Sequence, residues 1–177
     1  AEKFAHQTID QSSEHGKGSA IRHAVKKLKI DEEQFVVFLD ADGSYSFKGV
    51  RMIIDALRDG CDVSSGSRFL SKSGRPQGMS RLHNFGNRSL SLISSMRNRR
   101  YISDLCTGLW GFTTKALRKI EIKSKGFDLE AEIAGQTRKH GLLHKEVPVD
   151  WSQRKGGTSK LRSIRDGAII LSRIIFT

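Results

Sequence analysis

The sequence predicts an α/β fold, a mostly parallel central sheet flanked by helices, and three observations carry that expectation. The run Phe35-Val36-Val37-Phe38-Leu39 is apolar on both faces and rich in β-branched and aromatic residues, as a strand covered on both sides must be. Segments of helical period stand before and after it, so strand and helix alternate along the chain. The 177 residues, 37% hydrophobic and 28% charged, are enough for one domain with a packed core.

Taken in order, Ala1 to Glu14 reads as the end of a helix and an exposed connection without a strand of its own, so the chain is expected to begin within a fold. His15-Gly16-Lys17-Gly18-Ser19 then opens a helix with apolar residues at Ala20, Ile21, Ala24, Val25 and Leu28. Glycines at a helix start let a phosphate or ribose approach backbone N–H groups, although a plain glycine turn explains them equally well. A Walker A loop is excluded, because Gln11 stands where that motif needs a glycine. Beyond the central strand, Val50, Ile53, Ile54 and Leu57 mark a second amphipathic helix, ended by Gly60. Asp62 to Ser65 reads as a short strand leading into Gly66-Ser67-Arg68, and Ser71 to Gly78 as a loop broken by Gly74, Pro76 and Gly78. Leu82, Phe85, Leu90, Leu92, Ile93 and Met96 give a helix that also bears Arg81, Asn87 and Arg88. Helix signals return at Thr114 to Ile120 and at Asp128 to His140, closed by Gly141, with Glu130 and Glu132 placed early, where negative charge suits the helix dipole. Leu142 to Val149 reads as a strand, and Trp151 to Lys160 as a loop that combines cations with glycines. The last segment puts Ile164, Ala168, Leu171 and Ile175 on one face, which suits either an interfacial helix or packing on the domain. The expected division is a main α/β domain over 1–160 and a basic amphipathic helix over 161–177.

The formal charge of +12 and pI near 10.1 call for an anionic partner: nucleic acid, an acidic membrane surface or a phosphate-rich substrate. No Asp or Glu lies between Val63 and Ser103, where eight basic residues fall, and Asp166 is the only acid after Trp151. Cys61 and Cys106 form no Cys-x-x-Cys, so neither a disulfide framework nor a zinc knuckle is indicated. No apolar run approaches the roughly 20 residues needed to span a bilayer.

The chemistry concentrates at the end of the central strand. A period of two puts Asp40 and Asp42 on one side, and open α/β sheets bind ligands beyond the carboxyl ends of their strands. Two carboxylates converging in a dry crevice repel each other unless a cation lies between them. The pair therefore predicts a site for Mg²⁺ or Mn²⁺, whose hard-oxygen preference also suits phosphate. Taken alone, Asp-x-Asp is more often a solvated turn than a metal site. An EF-hand is excluded, because Tyr45 and Arg51 stand where glycine and glutamate are required. Asp104 is an isolated acid in the apolar stretch Ser103 to Phe112, and such a group must be paired or functional.

Seven blocks, GKGSAIRHAV, FVVFLDADGSYS, SGSRF, GMSRLHNFGNR, DLCTGLWGF, GFDLEAEI and WSQRKGGTSKLRSIRDG, in this order and spacing, resemble the family 2 glycosyltransferases that charge polyprenyl phosphates. The similarity is greatest to the dolichyl-phosphate mannose synthase group. The resemblance implies a GT-A fold, a nucleotide-diphosphosugar donor (GDP-mannose first, UDP-glucose next), Mg²⁺ or Mn²⁺, and a dolichyl or polyprenyl phosphate acceptor. It also implies an inverting metal-dependent hexosyltransferase, peripheral at the cytoplasmic face of an anionic membrane, with a membrane-anchoring segment or subunit. Two departures stand out: the family's opening strand and acidic loop, which hold the nucleobase, have no counterpart here, and Ser44 replaces a glutamine frequent beside the metal.

Carried over by position, the resemblance makes Asp40 and Asp42 the donor-side acids, with Asp42 the more direct metal ligand and Asp40 nearer the ribose. Lys17 and Gly18 fall by the nucleotide, and Arg68, Arg81, Arg154 and Lys160 around the phosphates. Asp104 falls near the reacting centre. A phosphate monoester with its second pKa near ~6 is a competent nucleophile at neutral pH, so Asp104 is expected to position groups rather than act as a strict base. Two other classes compete: a catalytically silent glycosyltransferase-like subunit, and a basic nucleic-acid-binding module. The second leaves the acid-ended strand without a purpose and offers few aromatics for stacking, so no nucleic-acid partner is expected.

Overall fold

A computed structural model of the chain describes residues 9, 16–27, 34–70, 76, 78–152 and 163–177. Among these, β1 (Phe35–Leu39), β2 (Val63–Ser67), β3 (Leu109–Thr113) and β4 (His144–Pro148) form one sheet in the order β1-β3-β2-β4. β3 runs antiparallel to both its neighbours, and β2 pairs with β4 in parallel. The expected sheet is thus found, in mixed form: β1, β2 and β4 share a direction and β3 alone among the described strands opposes them. β3 escaped detection because Gly111 interrupts its apolar run. That glycine is required, since a Cβ at 111 would collide with Ile53 Cγ2.

Three of the helices begin where a side-chain oxygen replaces a missing backbone acceptor. For α2 (Phe47–Arg58), Ser46 Oγ accepts from Gly49 N at 3.4 Å; for α3 (Arg81–Asn98), Ser80 Oγ accepts from His83 N at 3.1 Å. For α4 (Thr114–Lys119), Thr113 Oγ1 accepts from Ala116 N at 3.1 Å. Gly60, with φ +100°, follows α2 as its sequence position implied. The remaining helices are α1 (Lys17–Lys27), α5 (Leu129–Lys139) and α6 (Ser163–Phe176).

The core lies on both faces of the sheet. On one, Val63, Trp110 and Phe112 pack against Leu117, Leu129 and Ile133, with Ile21 and Val25 of α1 completing the layer. On the other, Ile53 and Leu57 of α2 meet Leu109, Val147 and Val149. A third cluster joins α6 to the body: Ile170 and Ile174 are buried with Ile102, Leu105, Ala131 and Ala134. Of the apolar face singled out in the sequence, Ala168 and Ile175 point outward and Leu171 is half-buried. The helix thus docks through one apolar face and displays another.

Candidate active site

Four elements meet at the end of β1. Asp40 N donates to Gly108 O at 3.2 Å, so the segment entering β3 lies beside the turn that leaves β1. Gly108 has no room for a side chain, because a Cβ would strike Asp40 Oδ2. Asp42 Oδ1 accepts from Ser44 N at 3.0 Å across Gly43, whose φ is +73°. From α1, Lys17 Nζ reaches Asp40 Oδ1 at 2.9 Å and, from α5, Glu130 Oε1 at 2.7 Å. Burial alone would lower the Lys17 pKa, but the charges of Glu130 and then Asp40 overcome it and hold the ammonium above the usual lysine range. α1 can approach this closely because Gly18 lies against Ser124 O, where a Cβ would collide. Lys17, Asp40 and Glu130 line a cavity of about 360 Å³, whose apolar wall includes Ile21, Leu39, Trp110 and Ile133.

The repulsion expected between Asp40 and Asp42 is thus relieved by the chain itself, through Lys17 on the first and a backbone N–H on the second. Among the described residues no group of three or more His, Cys, Asp or Glu could hold a metal ion. Magnesium-type ions are commonly held by one or two carboxylates plus substrate phosphates. Asp40 and Asp42 supply two carboxylates of that kind, and the described residues offer no third His, Cys, Asp or Glu grouped with them.

A second network lies behind the first. Asp104 is fully buried, and its carboxylate accepts from Arg68 N, Nε and Nη2 at 2.9, 2.7 and 2.7 Å and from Asn87 Nδ2 at 2.6 Å. The isolated acid of the sequence is therefore paired, with four donors on its two oxygens. Arg68 Nη2 also donates to Cys106 O at 2.7 Å, and the guanidinium lies 5.8 Å from the Trp151 ring centre. Glu146 of β4 supports the turn before Asp104: its Oε2 accepts from Ser103 N and Oγ, both at 2.9 Å, and its Oε1 from Asp104 N at 3.2 Å. Burial raises the pKa of Glu146 against these donors. Tyr45 OH accepts from Gly108 N at 2.8 Å and lies 3.3 Å from Thr107 Oγ1, and burial raises its pKa. The Cys106 thiol is pushed up to about 12 by burial, which leaves it unreactive.

Of the residues singled out in the sequence, Lys17, Gly18 and Asp40 gather at the cavity, Asp42 lies one turn away, and Arg68 and Asp104 form the buried pair. Arg81 is exposed on the first turn of α3. Arg154 and Lys160 lie outside the described residues. Sequence reasoning missed Tyr45, Asn87 and Glu146, and treated Glu130 and Glu132 only as dipole partners. Glu132 instead accepts from Lys123 N and Ser124 N and meets Arg173. For Glu146 a signal was present, a charged residue inside a five-residue strand whose next residue, Val147, is core.

An acid-ended strand beside a glycine-opened helix and a lysine lies on a mixed sheet with helices on both faces, and this fold is of the GT-A class. Residues 3–121 match the model of glycosyl transferase family 2, and the chain belongs to that family. It is 33% identical over 167 residues to glycosyltransferase AglJ of Haloferax volcanii, covering 94% of this chain and 53% of that protein. It is 29% identical over 175 residues to the dolichyl-phosphate hexose transferase of the same organism, covering 99% of this chain and 73% of that one. The fold matches glucosyl-3-phosphoglycerate synthase from Mycobacterium tuberculosis, solved with Mn²⁺, UDP and glucosyl-3-phosphoglycerate, with a TM-score of 0.61 at 13% identity, over 93% of this chain and 54% of that one. The chain spans about half the length of the first of these relatives and of the solved structure.

Proposed function

We propose that the protein transfers a hexose from a nucleotide diphosphosugar to dolichyl or polyprenyl phosphate, with GDP-mannose the favoured donor and UDP-glucose the next. The observation that carries this is the cavity where Lys17, Asp40 and Glu130 converge at the end of β1, the position at which open α/β sheets bind ligands. The name of the Haloferax dolichyl-phosphate hexose transferase supports the acceptor class.

In this reading the glycine-opened start of α1 admits the nucleotide, Asp40 faces its ribose, and Asp42 with Asp40 would hold Mg²⁺ or Mn²⁺. That ion, when bound, neutralises diphosphate charge. The chain's own part is positional. An acceptor phosphate oxygen attacks C1 of the sugar from the face opposite the donor, a new C1–O bond forms, and the old C1–O bond breaks, releasing the nucleoside diphosphate with inversion. Charge grows on the leaving diphosphate, where cationic side chains stabilise it most. Arg81, Arg154 and Lys160 are the cations assigned to the phosphates. Arg68, held by Asp104, is assigned to them as well, and no base is required of Asp104 because the acceptor is already anionic.

The partner surface is an anionic membrane. On α3, Leu82, Phe85, Leu92 and Met96 are 60%, 71%, 62% and 65% exposed, and their spacing places them on one face. Exposed Arg81 and Arg88 flank one side of that stripe and Arg97 the other. An apolar stripe bordered by guanidinium groups suits the headgroup layer of acidic lipids. No helix among the described residues is long and apolar enough to cross a membrane.

The test is a transfer assay with short-chain polyprenyl phosphate against a panel of nucleotide sugars, with and without Mn²⁺, beside donor calorimetry on Asp42→Asn. Metal-dependent transfer from one donor, lost in the variant, is expected. Equal donor affinity for wild type and variant, in Mn²⁺ and in chelator alike, would refute the metal assignment.

A further inference from the structure

We propose that Glu146 is a positioning residue, fixing the Ser103-Asp104 turn so that Asp104 holds the Arg68 guanidinium in one orientation. Glu146 sits on β4, in the parallel register where Ser65 pairs with Glu146 and Ser67 with Pro148, so its carboxylate lies beside the end of β2 from which Arg68 emerges. Both oxygens are used: Oε2 by Ser103 N and Oγ, Oε1 by Asp104 N. Ser67 Oγ, one residue before Arg68, also meets Ser103 Oγ at 2.6 Å. The turn is thus clamped from β4 and β2 on one side. On the other, α3 holds the backbone of Leu105 and Cys106, through Leu105 N to Ser91 Oγ at 2.9 Å and Cys106 N to Asn87 Oδ1 at 3.1 Å.

Asp104 then takes four donors, three from Arg68, which leaves the Nη1 edge of the guanidinium as the part not engaged by Asp104 or Cys106. A bidentate pair transmits any rotation of the carboxylate directly to the arginine. Placing a partly buried acid against N–H donors costs desolvation that a neutral acceptor would avoid. The carboxylate is suited to this task because two acceptor oxygens can serve three donors of one turn at once.

The consequence for transfer rests on the proposed function, whereas the effect on Arg68 does not. In Glu146→Gln one oxygen becomes an amide NH₂, which cannot accept, so at least one of the three donors is orphaned. The experiment is hydrogen exchange of the Arg68 side-chain Nε–H, followed by ¹⁵N NMR on the whole chain, for wild type and Glu146→Gln, with β3 backbone amides as the internal reference. We expect exchange at Arg68 to be at least tenfold faster in the variant while the β3 amides keep their wild-type rates. Unchanged Arg68 exchange, or equal acceleration everywhere, would overturn the proposal, the second because it marks general destabilisation. If Glu146→Gln does not fold, Ser103→Ala, which removes the Oγ contacts but keeps both backbone donors, is read against the same two outcomes with a smaller acceleration expected. Where wild type transfers hexose, Glu146→Gln should lower kcat about tenfold with the donor KM within twofold. Transfer absent from the wild type would sink the proposed function and leave the exchange result to decide the role of Glu146.

Discussion

Asp104 and Arg68 are the pair on which the second network is built. The pair is almost wholly removed from water, with side-chain exposures of 10% for Arg68 and 0% for Asp104, so taking away one partner strands the other. Asp104→Ala should cost about 3–5 kcal/mol in urea unfolding, the usual cost of an uncompensated buried charge. Replacing both residues, Asp104→Leu with Arg68→Met, should recover much of that loss without restoring transfer. Recovery of transfer by the double variant would remove the pair from the site altogether. His144 gives a pH signature of its own. Stacked on Trp110 at 5.6 Å and hydrogen-bonded to Ser65 Oγ at 2.9 Å, it is pushed by burial from 6.5 down to about 3. The unfolded chain then binds a proton that the folded chain refuses between those values. Stability should therefore fall as pH drops below 6.5, by up to about 1.4 kcal/mol per pH unit. His144→Gln should flatten that slope in unfolding curves taken at pH 7, 5.5 and 4.5. Such residue-level pairings were scarcely legible beforehand: Lys17 and Glu130 are 113 positions apart, and nothing in local pattern joins them.

Elements were read far better than partners, because periodicity and capping are local properties. Gly60 and Gly141 follow α2 and α5 as the sequence reading placed them, whereas the caps Ser46 and Ser80 were not read. β3 failed for a physical reason, since Gly111 breaks its apolar run and leaves too few consecutive apolar residues to mark a buried strand. α5 was found, but its acids were taken for dipole partners when they are cross-links: Glu130 to α1, and Glu132 to the 123–124 backbone and to Arg173 of α6. The approach of α1 to the 124 segment gives an element-scale test. Gly18→Ala places a methyl against Ser124 O, so α1 must move outward and carry Lys17 away from Asp40. Nucleotide affinity measured by calorimetry should weaken several-fold, with only a small fall in melting temperature because α1 contributes Ile21 and Val25 as partly buried edge contacts. Wild-type affinity in the variant would show that Lys17 need not face Asp40 for the nucleotide to bind.

At the scale of the whole molecule the question is what a charge of +12 is for. Acid-free stretches in the sequence pointed to an anionic partner, and α3 and α6 show how they are displayed, each helix buried on one side and apolar outward on the other. Phe176, at 84% exposure, and Ile175, at 50%, end α6, whose contact with α3 is reinforced by Arg97 Nε donating to Ile175 O at 3.4 Å. Cutting the chain after Lys160 would be a poor test of membrane affinity, because it also removes Ile170 and Ile174 from the core, each worth about 1.5–3 kcal/mol of burial. Exposed residues avoid that confusion. Leu82→Ser with Phe85→Ser should leave the melting temperature within a degree or two and abolish most flotation with phosphatidylserine-rich vesicles. Arg81→Gln with Arg88→Gln should reduce flotation chiefly at low salt, since each cation near an acidic leaflet contributes up to about 1 kcal/mol that is screened within a Debye length. A wild-type protein that floats equally with neutral and acidic vesicles would separate the apolar stripe from the charge beside it. One that floats with neither would leave the α3 face for contact with other protein, which light scattering of the wild type and the Leu82→Ser, Phe85→Ser variant would then reveal as a difference in mass.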